Sequence, residues 1–484
     1  MDCPDTCALE VEVRDGRVQR IGGSQEDQLT KGFICSKVRR FARRVYHPDR
    51  ILYPMRRVGR KGSGQFERIS WDDAIAEIAA RFSEIIRAEG GEAILPYTYG
   101  GSNGFFTDET LDNYFFSRIG ASRLAKTFCA APSTEVAVGM YGKMPGVAFE
   151  DYVHARCILI WGANPKVSNI HLVPFLRLAK SRGAFIAVID PRRTFSENEV
   201  DLHLAVLPGT DLPVALAMIH EWVVQGRLDW SFLKKHAKGW EPLLQASRAW
   251  PAARAAAAAG VDADAIRRLA REYAERNPAV IRCGWGMERN RNGGHALAAI
   301  MAMPALLGKF GVRGGGYTMS NSGAIRFESQ RVFGPDRWET RELNMSQLGR
   351  ILTQALSPPI RALFVYNANP AVTAPNQKAV LEGLSREDLF TVVHEQVFTD
   401  TAKFADIVLP APTFLEQHEL KKGYGNYVLA HSTPVIPVRG EARPNWMVFR
   451  MLAQAMGLQD PPFAWDEETF YRAVIEGLEP CAGA

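Results

Sequence analysis

Three cysteines near the amino terminus have the residue type and spacing to hold a metal centre. Cys3 and Cys7 are separated by three residues, and Cys35 follows a strand-like stretch and a polar loop. Thiolates in such a pattern bind zinc or an iron–sulfur cluster. Zinc usually takes four nitrogen or sulfur ligands, and no Cys-x-x-Cys pair lies nearby. The remaining alternative is three unrelated thiols.

Cys129 stands apart from this group, in the stretch "LAKTFCAAPSTE". Thiolate is a good ligand for a redox-active transition metal, and a small cysteine is also typical of a packed core. The local sequence leaves both interpretations open. Cys157 and Cys283 lie in apolar runs and are interpreted as buried small hydrophobic residues, and Cys481 has no predicted role.

Two Asn-Pro dipeptides follow apolar, strand-like runs. Asn164-Pro165 comes after "LIWGA", and Asn369-Pro370 comes after "FVYNA". Backbone without bulky side chains, at a turn between a strand and a helix, favours the binding of phosphate. Gly162 would allow a phosphate to approach this backbone closely. We interpret the repeated turn as a weak internal duplication that binds a nucleotide-bearing ligand. A plain strand-ending turn is the alternative.

Two acidic residues accompany the first of these turns. Asp190 ends the run "AVID" and suits ribose hydroxyls, whereas Asp211 in "PGTD" suits the edge of a base. The pattern G-x-G-x-x-G does not occur at these turns, which argues against ordinary NAD binding. A nucleotide-bearing cofactor of another kind is therefore favoured.

The elements that must position these residues follow from hydrophobic periodicity. "LEVEVRDGRVQRI" predicts a β-hairpin around Asp15-Gly16, and the stretch after it predicts a helix capped by Ser70 and stopped by Gly90. From about residue 155, continuous apolar strands ("CILIWG", "AFIAVID", "HLAVLPGTD") alternate with helical patterns. Such alternation predicts an α/β fold with a parallel, doubly wound sheet.

Composition excludes several classes of protein. The chain has 484 residues, 46% of them hydrophobic, and a net charge of only +5, and no nucleic-acid motif accompanies its basic run at 37–44. That run is interpreted as a solvated face. Seven cysteines in so long a chain do not make a disulfide framework, and no apolar run is long enough to span a bilayer.

Taken in order, these segments resemble the catalytic subunits of the molybdenum or tungsten bis(molybdopterin guanine dinucleotide) oxidoreductases, the dimethyl-sulfoxide-reductase family. "CPDTCALEVEVRDGRV" and "GFICSKVRR" are similar to its iron–sulfur module. "WGANP", "VIDPRR", "LPGTDL", "GWGMERNRNGG", "VYNANP" and "FTDTAKFADIVLPAPTFLE" are similar to its cofactor-cradling segments. The resemblance implies a small β-rich iron–sulfur module followed by two Rossmann-like α/β domains.

The resemblance also implies residue roles. The three amino-terminal cysteines (Cys3, Cys7 and Cys35) would ligate a [4Fe-4S] cluster. Lys37 would lie between that cluster and one pterin, and Cys129 would be the protein ligand to the metal. The paired guanine dinucleotides would be held by Gly162, Asn164, Pro165, Asp190, Arg192, Gly209, Asp211, Gly286, Met287 and Asn292 on one side and by Asn369, Pro370, Asp400, Thr401 and Asp406 on the other.

By the same resemblance, we expect the iron–sulfur module over residues 1–57, a discontinuous α/β domain over 58–130 and 330–484, and a Rossmann-like domain over 131–329. The family has a further cysteine before the position of Cys3, so we expect a truncated start; a cluster with three protein ligands is the alternative. We also expect the family's C-terminal β-barrel domain to be absent. Ala130 follows Cys129 in place of the His expected of formate dehydrogenases, which weakens formate as the substrate.

The sequence thus predicts an oxidoreductase that acts on a small molecule, with a sulfur compound or oxyanion favoured over formate. Electrons would pass through the cluster to an iron–sulfur subunit or a soluble carrier. One alternative is a non-catalytic electron-transfer or scaffold subunit of the same fold, and another is a zinc ribbon fused to a Rossmann-like enzyme. No nucleic-acid partner and no membrane span are expected. The cytoplasm is favoured, with the periplasm as the alternative because any export signal would precede Met1.

Overall fold

A computed structural model describes residues 5–102, 104–334 and 338–480 of the chain. Its strands are β1 (Leu9–Arg14), β2 (Arg17–Gly23), β3 (Met55–Arg57), β4 (Phe66–Arg68), β5 (Ile94–Tyr97), β6 (Arg123–Ala125), β7 (Cys157–Trp161), β8 (Phe185–Ile189), β9 (Leu202–Leu204), β10 (Ala279–Cys283), β11 (Gly316–Thr318), β12 (Ile325–Phe327), β13 (Glu342–Asn344), β14 (Ala362–Tyr366), β15 (Phe390–Glu395), β16 (Ile407–Pro410), β17 (Glu419–Lys422), β18 (Leu429–Ser432) and β19 (Leu478–Pro480).

Its helices are α1 (Ser36–Arg39), α2 (Ala42–Val45), α3 (Trp71–Glu89), α4 (Leu111–Arg118), α5 (Ala131–Tyr141), α6 (Pro165–Ser168), α7 (Leu172–Ser181), α8 (Asp211–Val224), α9 (Trp230–His236), α10 (Glu241–Ser247), α11 (Ala252–Ala259), α12 (Ala263–Glu275), α13 (Gly293–Leu306), α14 (Ser329–Phe333), α15 (Leu348–Thr353), α16 (Pro370–Thr373), α17 (Gln377–Leu384), α18 (Asn445–Ala455) and α19 (Glu467–Glu476).

The amino-terminal module is built on the predicted hairpin. β1 and β2 pair antiparallel around Asp15 and Gly16, whose φ angles of 51° and 71° are the left-handed values that a tight two-residue turn requires. The hairpin packs with α1 and α2 around a small core (Val18, Ile21, Ile34, Val38, Phe41, Val45, Leu415 and Ile436). Cys7 and Cys35 both lie against this core. The hairpin therefore brings two of the predicted cluster ligands to one small module.

The first α/β sheet contains parallel strands in the order β11-β10-β7-β8-β9. β7, β8 and β10 are buried along their whole length, as expected for a sheet covered on both faces. Cys157 and Cys283 are fully buried in it, which confirms their interpretation as core residues. The third predicted strand is shorter than its apolar run, because β9 ends at Leu204 and a loop follows.

The second sheet has the order β4-β3-β16-β15-β14-β5. β5, β14, β15 and β16 are parallel, and β3 and β4 add an antiparallel edge. β5 precedes the first sheet in the chain and β14 follows it, so the first sheet is inserted between two neighbouring strands of the second. This arrangement agrees with the predicted discontinuous domain, whose boundaries stay a prediction.

Helix α3 shows how local sequence signals fix an element. Its N-cap is Ser70, whose hydroxyl accepts a hydrogen bond from the amide of Asp73 at 3.0 Å. It ends at Gly90, whose φ of 86° lies in the left-handed region that favours glycine. Both helix ends are those that the sequence predicts.

Candidate cofactor and metal site

The two Asn-Pro turns have the same local structure. Asn164 and Asn369 are the N-caps of the short helices α6 and α16, with φ/ψ of −121°/82° and −130°/71°, and each is followed by proline at the first helical position. The hydroxyl of Ser168 donates to the carbonyl of Asn164 at 3.0 Å, and the hydroxyl of Thr373 donates to the carbonyl of Asn369 at the same distance. Each turn lies at the carboxyl end of a buried parallel strand, where α/β sheets bind ligands.

At the first turn the backbone is packed too tightly for side chains. A Cβ on Gly162 would lie 2.9 Å from Cγ of Met287, and a Cβ on Gly284 would lie 2.0 Å from the carbonyl oxygen of Gly162. Oδ1 of Asn164 is buried here without a hydrogen-bond partner among the described residues. A buried polar atom normally finds a partner, so the turn presents an acceptor that a ligand can satisfy.

At the second turn, Asn369 is fixed by a residue from the next loop. Its Oδ1 accepts hydrogen bonds from the amide of Thr401 at 3.2 Å and from the Thr401 hydroxyl at 2.7 Å. The same hydroxyl accepts from the amide of Ala371 at 3.0 Å. The structure thus brings together Asn369, Pro370 and Thr401, which the resemblance assigned to one site.

A cavity of about 350 Å³ opens at this carboxyl edge of the second sheet. Its walls come from the ends of β5, β14, β15 and β16 and from the iron–sulfur module, and they include Phe41, Arg44, Gly101, Ser102, Asn367, Ala368, Asn369, His394, Glu395, Gln417 and Asn445. Nδ2 of Asn367 is buried without a partner in the described part of the chain. The cavity therefore offers an unused donor.

His394 lies in the wall of the same cavity. Its Nε2 lies 3.0 Å from the carbonyl of Arg443 and 3.3 Å from that of Pro410, so this nitrogen carries the proton. Nδ1 is then an acceptor, and the side chain of Asn445 interacts with the same imidazole. Burial lowers the pKa of His394 to about 4, which keeps the imidazole neutral. Burial also raises the pKa of the neighbouring Glu395.

Cys129 lies on a bent loop between the two α/β units. The backbone bends at 128–130, and Phe128 packs against the core beneath the second sheet. From the side of the first sheet, Arg289 donates from Nη1 to the carbonyl of Phe128 and from Nη2 to the carbonyl of Cys129, the latter at 2.7 Å. Cys129 is half-buried, as a thiol at the edge of a ligand site would be.

The predicted cluster ligands are only partly within the described residues, because Cys3 lies outside them. Cys7 and Cys35 are half-buried, and Lys37 is exposed in the first turn of α1. Over residues 5–102, 104–334 and 338–480, no three His, Cys, Asp or Glu side chains are grouped to hold a metal ion. Cys7 and Cys35 pack against the same small core, and their role as cluster ligands stays a prediction.

His171 joins this module to the first α/β unit. Its Nδ1 lies 2.9 Å from Oδ2 of Asp5 and 3.9 Å from Sγ of Cys7, and its Nε2 donates to the carbonyl of Phe33 at 2.9 Å. Burial lowers the pKa of His171, but the hydrogen bonds with Asp5 and Phe33 outweigh this effect and the pKa is raised. His171 therefore links Asp5 and Phe33 directly beside the predicted cluster ligand Cys7.

Two acidic residues predicted to bind the cofactor at the first turn make hydrogen bonds within the protein. One oxygen of Asp211 accepts from the indole of Trp161 at 2.8 Å, and burial raises the pKa of Asp211. Oδ1 of Asp190 accepts from the amide of Arg192 at 2.8 Å. The remaining predicted residues pack around this turn: Gly209, Gly286, Met287 and Asn292. The carbonyl of Gly209 accepts a hydrogen bond from the side chain of Asn292.

The structure separates Asp406 from the other predicted residues. Asp406 lies at the amino end of β16, whereas the cavity lies at the carboxyl end of that strand. Its Oδ1 binds Arg57 at 2.8 Å, and its Oδ2 binds Lys61 at 3.0 Å and accepts from the amide of Thr391 at 2.7 Å. Asp406 thus connects Arg57 and Lys61, which precede α3 in the chain, to β15 of the second sheet. Asp400 is exposed and pairs with Lys403 at 2.9 Å.

Sequence reasoning did not single out Asn367, His394, Glu288 or Arg289. One signal was available for Asn367, which directly follows the apolar strand β14, whereas His394 lies inside β15. Asn367 has a left-handed φ of 53°, a conformation in which Asn is enriched. Glu288 and Arg289 are found only through their partners in space. These partners are 155 to 161 residues away in the chain.

Comparisons with known proteins identify the family of this chain. The chain matches the family described as molybdopterin oxidoreductase over residues 50–455 and the molybdopterin oxidoreductase Fe4S4 domain over residues 2–47. It is 37% identical over 479 residues to the probable oxidoreductase YoaE of Bacillus subtilis (strain 168), covering 98% of this chain and 70% of that protein. It is 28% identical over 525 residues to the dimethyl sulfoxide reductase DmsA of Escherichia coli (strain K12), covering 95% of this chain and 63% of that protein.

A solved structure shares the fold. The acetylene hydratase from Pelobacter acetylenicus superimposes with a TM-score of 0.84 at 24% sequence identity, covering 98% of this chain and 71% of that one. At this identity the likeness shows the fold alone.

The family matches define a molybdopterin oxidoreductase with an iron–sulfur domain at its amino terminus. The chain belongs to the molybdopterin oxidoreductase family. Its cofactors are a molybdenum or tungsten pterin and a [4Fe-4S] cluster. None of the helices in the described ranges has both the length and the apolar character that a bilayer crossing demands.

Proposed function

We propose that this chain is the catalytic subunit of a bis(molybdopterin guanine dinucleotide) enzyme that oxidises or reduces a small substrate. The observation that carries the proposal is the pair of matching turns, at Asn164-Pro165 and Asn369-Pro370, each at the carboxyl end of a parallel strand. Two copies of one cofactor explain two copies of one turn. That both turns serve one paired ligand is part of the proposal.

The unsatisfied groups of the cavity fit a pterin. A pterin ring is planar and carries both N–H donors and carbonyl or ring-nitrogen acceptors. The cavity offers an unused donor at Nδ2 of Asn367, and His394 and Asn445 add polar atoms to its wall. The rings of Phe41 and Phe414, 4.5 Å apart, add an apolar wall. Burial lowers the pKa of His394 to about 4, so this part of the wall stays neutral across the physiological pH range.

Each residue group then has a defined task. The bound metal supplies two-electron chemistry at the substrate. The backbone of the two turns binds phosphate, as helix N-termini and strand-ending turns do. Asn369 is held by Thr401 before any ligand arrives, so the second turn is preorganised. Cys129 supplies a soft thiolate to the metal, and the loop that carries it lies between the two α/β units.

The remaining assignments concern electron transfer and substrate. We propose that Cys3, Cys7 and Cys35 bind the [4Fe-4S] cluster and that Lys37, on the helix begun by Cys35, lies on the path from pterin to cluster. An iron–sulfur subunit or a soluble carrier then exchanges electrons with the cluster. We favour a sulfur compound or an oxyanion over formate as the substrate, because Ala130 follows Cys129 and because the relative DmsA is named for dimethyl sulfoxide.

Metal and cofactor analysis of the purified chain tests this function. We expect molybdenum or tungsten together with releasable guanine nucleotide and about four iron atoms per cluster. Cys129→Ala should lose turnover with viologen dyes and dimethyl sulfoxide, an oxyanion or formate, while its guanine nucleotide content stays unchanged. Iron without guanine nucleotide would instead indicate a non-catalytic electron-transfer subunit. Full activity of Cys129→Ala would remove this residue from the metal.

A further inference from the structure

The helix that follows the Cys129 loop begins without a side-chain N-cap. Helix α5 begins at Ala131, and its N-cap is Ala130, which has no side chain to accept from the first amides of the helix. Helices normally begin with Ser, Thr, Asp or Asn at this position, and a helix without such a cap is less stable. Something else must therefore fix the chain immediately after Cys129.

Glu288, from the short 3₁₀ turn Met287–Arg289, takes the place of the cap. Its Oε2 accepts from the amide of Ser133 at 3.0 Å and from the Ser133 hydroxyl at 2.5 Å. Ser133 is the third residue of α5, whose amide an N-cap side chain would ordinarily bind. The carboxyl group of Glu288 lies at the positive end of the helix; burial raises its pKa, although the hydrogen bonds from Ser133 act in the opposite direction.

Arg289 holds the other end of the same loop. Its two terminal nitrogens donate to the consecutive carbonyls of Phe128 and Cys129. Consecutive carbonyls point in opposite directions in an extended chain, so one guanidinium can bind both only because the backbone bends at 128–130. Nη2 of Arg289 also lies 3.4 Å from Oε1 of Glu288, which braces the two side chains against each other.

The base of this arrangement is rigid. A Cβ on Gly286 would lie 2.9 Å from the carbonyl oxygen of Gly162, and a Cβ on Gly293 would lie 2.5 Å from the carbonyl oxygen of Met287. The 3₁₀ turn is therefore packed between the first Asn-Pro turn and the start of α13. Glu288 and Arg289 thus join the Cys129 loop to a turn that packs against the first Asn-Pro turn.

We propose that Glu288 and Arg289 are positioning residues for Cys129: the carboxylate caps α5 behind the cysteine, and the guanidinium holds the carbonyls before and at it. The inference rests on the proposed function, in which Cys129 binds the metal. Neighbours that orient a metal ligand change metal affinity or activity about 10- to 100-fold when they are removed. The pair also couples the cradle of one dinucleotide to the geometry of the metal ligand.

The test compares metal-loaded protein carrying Arg289→Met, Arg289→Lys or Arg291→Gln with the unchanged protein. Arg291 is exposed, two residues away, and makes no hydrogen bond or ion pair with the described residues, so it is a matched control. We expect Arg289→Met to keep its iron, its guanine nucleotide and its cooperative unfolding. Its electron paramagnetic resonance signal from the metal should shift and broaden, and its metal affinity should fall about 10-fold, measured by metal retention during chelator challenge.

Arg289→Lys should restore part of the signal because one donor remains, and Arg291→Gln should match the unchanged protein. An unshifted signal in Arg289→Met would overturn the inference. If Arg289→Met does not fold, Glu288→Gln replaces it, because an amide oxygen is a weaker acceptor for the amide and hydroxyl of Ser133 than a carboxyl group. An unshifted signal in Glu288→Gln has the same meaning. Cys129→Ser distinguishes a failure of the inference from a failure of the proposed function. If Cys129→Ser leaves the signal unshifted, the assignment of Cys129 as the metal ligand is wrong.

Discussion

The hydroxyl of Thr401 donates to Oδ1 of Asn369 at 2.7 Å, although the two residues are 32 positions apart in the chain. Thr401 is fully buried, and its hydroxyl also accepts from the amide of Ala371. This one side chain therefore fixes both the cap and the first turn of α16, the helix that the second cofactor turn begins.

Thr401→Val should weaken the second turn. The substitution keeps the shape but leaves a buried amide without its acceptor, which we expect to cost about 1–3 kcal/mol of unfolding free energy. Chemical denaturation measures this loss, and the guanine nucleotide retained per folded chain should fall. Thr373→Val is the control, because the exposed Thr373 hydroxyl bonds the same asparagine's carbonyl and should change stability by no more than about 0.5 kcal/mol. Equal effects of the two variants would contradict this prediction.

Gly284→Ala should disturb the first turn by steric contact alone. Its Cβ would lie 2.0 Å from the carbonyl oxygen of Gly162, and backbone at that point cannot rotate away. We expect a lower melting temperature and less bound guanine nucleotide. Gly294→Ala, in α13 with no atom within 4 Å of the added carbon, should be neutral or stabilising by up to about 1 kcal/mol. A tolerated Gly284→Ala would show that the turn is more plastic than its packing indicates.

Asp406→Ala should destabilise the protein without touching the cofactor. The side chain of Lys61 is only 1% exposed and would lose its carboxylate, an effect that costs about 3–5 kcal/mol when a buried pair is broken. Asp400→Ala breaks an exposed pair and should cost less than about 1 kcal/mol. Denaturant midpoints give both values. The amount of guanine nucleotide bound per folded Asp406→Ala chain should equal that of the unchanged protein. A loss of bound nucleotide from folded Asp406→Ala protein would show that Asp406 belongs to the ligand site.

Acid should destabilise the protein through His394. Its pKa is lowered to about 4 in the folded chain, whereas an unfolded histidine titrates near its ordinary value, so only the unfolded state takes up a proton between these two values. The stabilising effect of a neutral His394 is complete above about pH 6.5 and falls by roughly 3 kcal/mol as the pH drops to about 4. Unfolding free energies of His394→Gln should depend less steeply on pH across this window. The exposed His431→Gln should retain the full slope.

Sequence reasoning identified the turns and missed much of what surrounds them, for a physical reason. Asn164 and Asn369 are visible because an apolar run, an asparagine and a proline are neighbours in the chain. The roles of Glu288 and Arg289 arise from contacts with a loop more than 150 residues away, which periodicity does not encode. For Asp406 a local signal did exist: it precedes the first residue of β16, so it belongs to the amino end of that strand.

The insertion of the first sheet into the second sets an order for synthesis. β5 ends at Tyr97 and its neighbour β14 begins at Ala362, so about 265 residues separate two adjacent strands. At a translation rate of about 5–20 residues per second, the ribosome takes roughly 13 to 53 seconds to make the partner of β5. The inserted unit can fold during that interval. The apolar residues of β5 and α3 meanwhile stay without their later packing partners on the nascent polypeptide. Chaperone engagement should therefore concentrate on this early segment.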